Sequence, residues 1–264
     1  MLKKRLIPIL LIKDGFLVKS VGFSFFQILG KPKNSIERYN LWSVDEIIIL
    51  DITDGENYDL GRLDIKENIQ DGLSETISFI SNTCFVPLTV GGGVRTVEDI
   101  RSLLAVGADK VTVNTQAIEK PEFIQESSKL FGSQCIVVSI DAKLNEKGEY
   151  EVFSHWGKKG TGMTPIQWAK EVESLGAGEI LLTSIDKNGS KDGYQMDLIK
   201  QVADSVKIPV IANGGAGEWE HMVEVVEEAN ASAVAAANIF YYSEQSTKHA
   251  KKFMVDSGLD VRIG

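Results

Sequence analysis

Two cysteines among 264 residues leave no disulfide framework and no CxxC pair to hold zinc. Cys84 and Cys135 each sit in apolar runs and read as buried, reduced thiols. Histidine is scarce as well. His155, His221 and His249 lie far apart and no HExxH appears, so the sequence calls for no metal and no other cofactor. A basic excess is also missing, since the formal net charge is −9. Such a chain has little with which to displace counterions from a nucleic-acid backbone, although local spots such as Lys158–Lys159 suit a small phosphorylated ligand. Apolar runs are short and nothing points to a membrane. The opening MLKKRLIPILLIKDG is basic then apolar, but Lys13 and Asp14 interrupt it and no small-residue cleavage site follows. It reads as the first strand of a cytosolic protein rather than a signal peptide.

What is present is a soluble globular mixture, 43% hydrophobic and 25% charged. Eight β-branched runs recur at 5–12, 46–52, 85–90, 110–115, 135–141, 179–185, 208–213 and 232–237. Helical signatures fill the intervals. Thr96 is placed to cap VEDIRSLLAVGA with Asp99 at the capping-box position. Pro121 stands at a plausible first helical position of PEFIQESSKLFG, with Gly132 after its end. Thr164 and Pro165 open TPIQWAKEVESLGAG in the same way. No composition break or low-complexity linker divides these units. The pattern predicts one α/β domain over residues 1–264, a (β/α)8 TIM barrel with strands buried on both faces.

The two halves resemble each other. VPLTVGGGV (86–94) matches IPVIANGGA (208–216), DEIIILDI (45–52) matches GEILLTSI (178–185), and ADKVTVNT (108–115) matches ASAVAAAN (231–238). Units two to four thus repeat as units six to eight, an internal duplication of the half-barrel. Unit one then falls on unit five, LIPILLIK (6–13) over IVVSIDAK (136–143), which puts Lys13 on Lys143 and Leu11 on Asp141. Position 11 is where the first strand offers its last inward side chain to the mouth of the barrel. Its symmetry mate at the top of strand five is a carboxylate.

Barrel sites lie at the carboxyl ends of the strands. Two glycine-rich turns sit there, Gly91-Gly92-Gly93 and Asn213-Gly214-Gly215-Ala216-Gly217, beside the strand ends Asn114-Thr115 and Ala237-Asn238. Glycine lets backbone N–H groups approach a phosphate, and helix N-termini favour its charge. The repeat predicts two anion sites on opposite sides of one mouth, suited to a ligand with a phosphate at each end. The same glycines also serve tight strand-to-helix turns. Asp51, Asp141 and Ser184 are candidate polar groups in the mouth, with loop bracing the other reading of Asp51. Lys19 is either a surface lysine or part of a mobile lid on the first long loop.

These residues, taken with KRLIP…KDG…VK, DEIIILDIT, TVGGGV, GADKVTVNT, IVVSIDAK, GKKGTG, GAGEILLTSID, NGGAG and a terminal VRI, give the chain a resemblance to the cyclase subunits of imidazole glycerol phosphate synthase over essentially its whole length. The resemblance implies a half-barrel-duplicated TIM barrel with a glutaminase subunit docked at its bottom. Ammonia from that partner would cyclise and cleave a bisphosphorylated ribulosyl intermediate. It also implies that Asp141 is the general acid/base and Lys19 the loop-one lysine. Gly92, Gly93, Asn114, Thr115, Gly189, Gly214, Gly215, Ala237 and Asn238 then fall at the phosphate sites, with Asp51 a further catalytic candidate. Arg5, Glu46, Lys110 and Glu179, at the amino ends of strands one, two, four and six, match an inward charged ring where ammonia enters. An ordinary solvated rim of charges is the alternative.

Departures from the family pattern gather at the mouth. Leu11 stands where the family has a second essential aspartate, Asn188 replaces an aspartate after strand six, Asn213 a serine, and Gly30-Lys31-Pro32 an expected Gly-Asp-Pro. Leucine neither accepts nor donates a proton. General acid–base groups commonly contribute about 100- to 10,000-fold. An intact ammonia entrance with half the proton-transfer pair missing points to a paralogue with changed or lost cyclase chemistry, and the resemblance to such paralogues implies one that supplies ammonia to a separate amidotransferase acting on a nucleotide-linked or surface-polysaccharide sugar. An active cyclase compensated by Asp51 or water is the second reading, and a scaffold or ligand sensor the third.

Overall fold

A computed structural model describes residues 3–54, 72–241 and 246–262. The first half contains β1 (Arg5–Lys13), β2 (Phe16–Val21), β3 (Phe25–Gly30), α1 (Pro32–Leu41), β4 (Ile47–Asp51), α2 (Leu73–Ser81), β5 (Leu88–Gly91), α3 (Val97–Ala105), β6 (Lys110–Val113), α4 (Thr115–Glu119) and α5 (Glu122–Phe131). The second contains β7 (Ile136–Leu144), β8 (Tyr150–Ser154), β9 (Lys159–Gly160), α6 (Pro165–Ser174), β10 (Glu179–Ser184), α7 (Met196–Ala203), β11 (Val210–Asn213), α8 (Trp219–Glu227), β12 (Ala233–Ala236) and α9 (Thr247–Asp256). Parallel pairing runs β10-β11-β12-β1-β4-β5-β6-β7, and β10 pairs β7, so eight strands close into a barrel. This is the (β/α)8 TIM barrel that the alternation of runs predicts. Among the described residues no helix is long and apolar enough to cross a membrane.

The period-two alternation of the strands sorts the apolar residues into two cores. Ile7, Ile9, Ile48, Val137, Leu181, Ile211, Ala233 and Ala235 pack in the lumen, with Leu11, Leu50 and Ala237 at its upper end. The residues between them, such as Leu6, Leu10, Ile47, Ile49, Val138 and Ile180, face the helices in a larger shell. Burial on both faces is why these strands read as nearly continuous apolar runs.

Several boundaries move from their sequence expectation. The 85–90 run gives a strand only at Leu88–Gly91, and Phe85 is 82% exposed at the barrel bottom. Thr115, expected as a strand end, opens α4. Pro121 occupies the cap of α5 rather than its first turn. The expected box of α3 is present, with Thr96 and Asp99 bonding reciprocally, and α6, which Thr164 and Pro165 open as expected, also has a box between Thr164 and Gln167. At α1, Lys31 is the cap residue and its side chain makes no capping bond, while Pro32 starts the helix.

The first long loop is not a loop. It is a hairpin, with β2 antiparallel to the top of β1 and β3 antiparallel to β2. The equivalent excursion of the second half is β8 and β9, built on β7. Each hairpin lengthens its barrel strand beyond the sheet, because Phe16, Leu17 and Val18, and likewise Val152 and Phe153, bury their side chains against it.

Candidate active site

The repeat equivalence holds in the register. Leu11 lies beside Leu50 of β4 and opposite Val18 of β2. Asp141 lies beside Thr183 of β10 and opposite Phe153 of β8. Positions 11 and 141 are therefore the same place in two halves, each where a barrel strand turns into its hairpin.

The two places differ in chemistry. Asp141 is partly buried; its carboxylate accepts from Asn114 Nδ2 at 3.1 Å and from Ser139 Oγ at 3.2 Å. Thr183 also hydrogen-bonds it, and the Thr183 hydroxyl accepts from Asn213 Nδ2 at 3.1 Å. These side chains form a polar arc across β6, β7, β10 and β11. Burial raises the Asp141 pKa from 3.8 to about 6, with the Ser139 and Thr183 bonds opposing the shift. A carboxyl group near 6 exchanges protons readily around neutral pH, as a general acid or base must. The opposite arc is Leu11, Leu50 and Ala237, all against the apolar lumen. The mouth is thus polar on one side and apolar on the other.

Asp51 lies off this surface, one position out of phase with Leu50. Its carboxylate accepts from Thr53 N at 2.9 Å and Thr53 Oγ1 at 2.6 Å, bracing the turn after β4. Ser184, its repeat mate, is buried and accepts from Lys187 N at 3.3 Å.

Both glycine turns carry consecutive left-handed glycines, Gly92 (φ 110°) and Gly93 (φ 65°), and Gly214 (φ 94°) and Gly215 (φ 108°). A Cβ on Gly92 would come within 2.1 Å of the Asp51 carbonyl oxygen, and one on Gly214 within 2.8 Å of that of Ser184. Close passage over the preceding strand end requires glycine at both positions, with or without an anion. The helix starts that follow already carry acidic side chains. Beside the Thr96 cap of α3 the Asp99 carboxylate accepts from Arg95 N and Thr96 N, and at the α8 cap Glu218 N donates to His221 Nδ1 at 3.3 Å. Any anion here would rest on the turn amides rather than on those helix starts.

The hairpins reach the other predicted phosphate positions. Asn238 Nδ2 donates to Ser20 O of β2 at 3.0 Å, and Thr115 Oγ1 accepts from His155 N, just past β8, at 3.1 Å. Thr115 and Asn238 are repeat mates, so each half-barrel's hairpin fastens to its neighbouring unit at the same repeat position, though Asn238 donates and Thr115 accepts. Two more bonds hold the first hairpin, Gly22 N to Asn188 O at 2.9 Å and Ser20 Oγ to Asn188 Oδ1 at 3.2 Å. A Cβ on Gly189 would meet Ser20 O at 2.7 Å. Lys19 sits on β2 with Gln27 as its cross-strand neighbour. Lys158 lies over the Trp156 ring at 5.4 Å.

At the other end of the lumen, Arg5, Glu46, Lys110 and Glu179 form a closed ring of alternating charge. Arg5 Nη1 is 2.9 Å from Glu46 and 3.1 Å from Glu179; Lys110 Nζ is 2.9 Å from Glu46 and 3.3 Å from Glu179. Thr89 Oγ1 donates to Glu46 at 2.6 Å. Ala233, the repeat mate of Lys110, is paired in register with Arg5, so the missing side chain leaves the space that Arg5 enters. Buried charges need such partners, and Glu46 has a side chain only 2% exposed. The other three side chains keep partial exposure, 24% for Arg5, 17% for Lys110 and 14% for Glu179, so the ring is closed by ion pairs and still meets solvent at the barrel bottom.

Sequence reading placed Asp141, Leu11 and the ring, but not Ser139 or Thr183. Their signal was available as inward polar residues two positions before Asp141 and beside it in register, against apolar Ile9 and Leu50 in the other half. Residues 5–246 of this barrel match the family described as histidine biosynthesis protein, and the chain belongs to that family.

Proposed function

We propose that the protein is a cyclase-subunit-like barrel that takes ammonia from a glutaminase partner at its bottom and releases it at the mouth, for amidation by a separate amidotransferase acting on a nucleotide-linked or surface-polysaccharide sugar. The observation that carries this reading is the asymmetry between the two ends. The Arg5–Glu46–Lys110–Glu179 ring is complete, with all four charges paired. At the mouth Asp141 supplies a carboxylate where its repeat mate Leu11 supplies none. Between them lies a lumen of Ile7, Ile9, Ile48, Val137, Leu181 and Ile211. Such a lining favours neutral ammonia over ammonium, because an unpaired charge is costly to desolvate. In this reading the glutaminase covers the ring, ammonia passes where Lys110 or Arg5 yields, and Lys19 and the glycine turns face a phosphorylated small molecule.

A second reading is an active imidazole glycerol phosphate synthase cyclase. The polar arc around Asp141 favours it, since a carboxyl group at about 6 suits proton transfer. The experiment that separates the two supplies the purified chain with ammonium and the bisphosphorylated ribulosyl substrate. Ammonia delivery implies turnover far below about 1 per second, and a rate at or above that level assigns the chain to cyclase chemistry.

A further inference from the structure

Strand β3 carries the sequence FFQILG, six residues without a charge or proline. It pairs with β2 along one edge, and among the described residues no strand pairs with the other. Phe25 is 59% exposed, Ile28 44% and Leu29 40%. Leu29 sits where the β2–β3 register shifts, so a bulge twists only the last part of the edge. Proteins usually blunt an open edge with lysine, proline or a covering element, and an apolar uncharged one is a template for another strand. The blunting residues come only after the strand, at Lys31 and Pro32.

Charge says what can cover it. Residues 13–33 hold four lysines, Lys13, Lys19, Lys31 and Lys33, against one carboxylate, Asp14, in a chain of net charge −9. Lys33 is already shared with Glu37 at 3.8 Å. Two copies of this hairpin brought edge to edge would place like charges together, whereas a carboxylate-bearing strand would be steered to it. The sheet β1–β2–β3 rises from the top of β1, so a strand added to β3 lies beside the barrel mouth.

We propose that β3 is a strand-addition site for a partner protein whose own exposed strand carries carboxylates, seated beside the mouth. Main-chain bonds to the free edge would hold the strand, and Phe25, Ile28 and Leu29 would contact its alternate side chains. Only the partner's identity, an acceptor of the released ammonia, rests on the proposed function. Strand binding requires neither ammonia nor turnover, so the two readings fail separately.

The test uses the whole chain and two synthetic peptides, one alternating glutamate with valine and one alternating lysine with valine. Fluorescence anisotropy is expected to show the glutamate peptide binding about tenfold tighter at low salt, with the gap closing as salt rises. Hydrogen exchange is expected to slow at residues 25–30 in its presence. Phe25→Glu with Ile28→Glu, both exposed and so compatible with folding, is expected to weaken the glutamate peptide about tenfold with the melting temperature unchanged. Equal or tighter binding of the lysine peptide, or no protection at 25–30, overturns the proposal. So does a dimer in sedimentation that the same substitutions dissolve, since it would assign the edge to a second copy.

Discussion

Asp141 and Leu11 occupy equivalent backbone positions, yet only one titrates. The Asp141 pKa lies above the usual carboxylate value because burial disfavours its charged form. The native state therefore holds a proton that the unfolded chain has released between about pH 4 and 6, and this contribution to stability disappears as the pH rises through about 6. Asp141→Asn is expected to raise the melting temperature at about pH 7.5, by the equivalent of about 1–3 kcal/mol, and to leave it unchanged near pH 3.5. Equal melting curves at the two pH values would show that the carboxyl group is not desolvated. Leu11→Asp tests the other half. It is expected to raise turnover of the bisphosphorylated ribulosyl substrate above the wild-type rate, with a gain limited by Asn188, Asn213 and Lys31. No gain would mean that the mouth has diverged beyond one position.

At the scale of elements, the caps and glycine turns set local stability. Thr96 bonds Asp99 N at 3.1 Å and the box is reciprocal, so Thr96→Ala is expected to cost about 1 kcal/mol in chemical denaturation. Lys31 offers α1 no capping bond, and the helix start relies instead on Pro32 at its first position. The glycine turn after β5 provides a sharper contrast. Gly92→Ala drives a methyl into the Asp51 carbonyl at an unfavourable φ, with an expected cost of about 3 kcal/mol or more. Gly93→Ala meets open space and bears only the left-handed penalty, about 1–2 kcal/mol. Similar denaturation midpoints for the two variants would refute the close approach.

Across the whole molecule, the charged ring joins side chains from four distant parts of the chain at one end of the lumen. Lys110→Ala leaves Glu46 and Glu179 with Arg5 alone, a nearly buried carboxylate pair sharing one cation. The barrel is expected to remain folded, because Arg5 and Thr89 still hold Glu46, though with a loss of about 1–3 kcal/mol. In the complex with a glutaminase, the same substitution is expected to uncouple glutamine hydrolysis from product formation. An unchanged ratio of product to glutamate would argue against passage through the ring. The two hairpins belong to this scale as well, since each joins one half-barrel to the neighbouring unit through Thr115 or Asn238.

Sequence alone determined the eight-strand order, the half-barrel repeat and the alignment of Leu11 with Asp141. Each follows from periodicity and from glycine, proline and cap residues acting over a few neighbours. The α3 and α6 caps were legible for the same reason. The tertiary structure decided what depends on distant backbone coming together. The first loop became a hairpin because Asp14 and Gly15, both at positive φ, make a two-residue turn and burial of Leu17 and Val18 holds the returning strand; the Asp-Gly pair was legible in the sequence, whereas the burial was not. The tertiary structure set the Asp51 carboxylate on Thr53 N and Oγ1, bonds that depend on how the chain turns after β4. It brought Thr183 of β10 beside Asp141 of β7, 42 positions away in the chain, and Asn213 of β11 onto Thr183, contacts that only the pairing of those strands creates. It also closed the ring of Arg5, Glu46, Lys110 and Glu179, because the small side chain of Ala233 leaves room for an arginine from the adjacent strand.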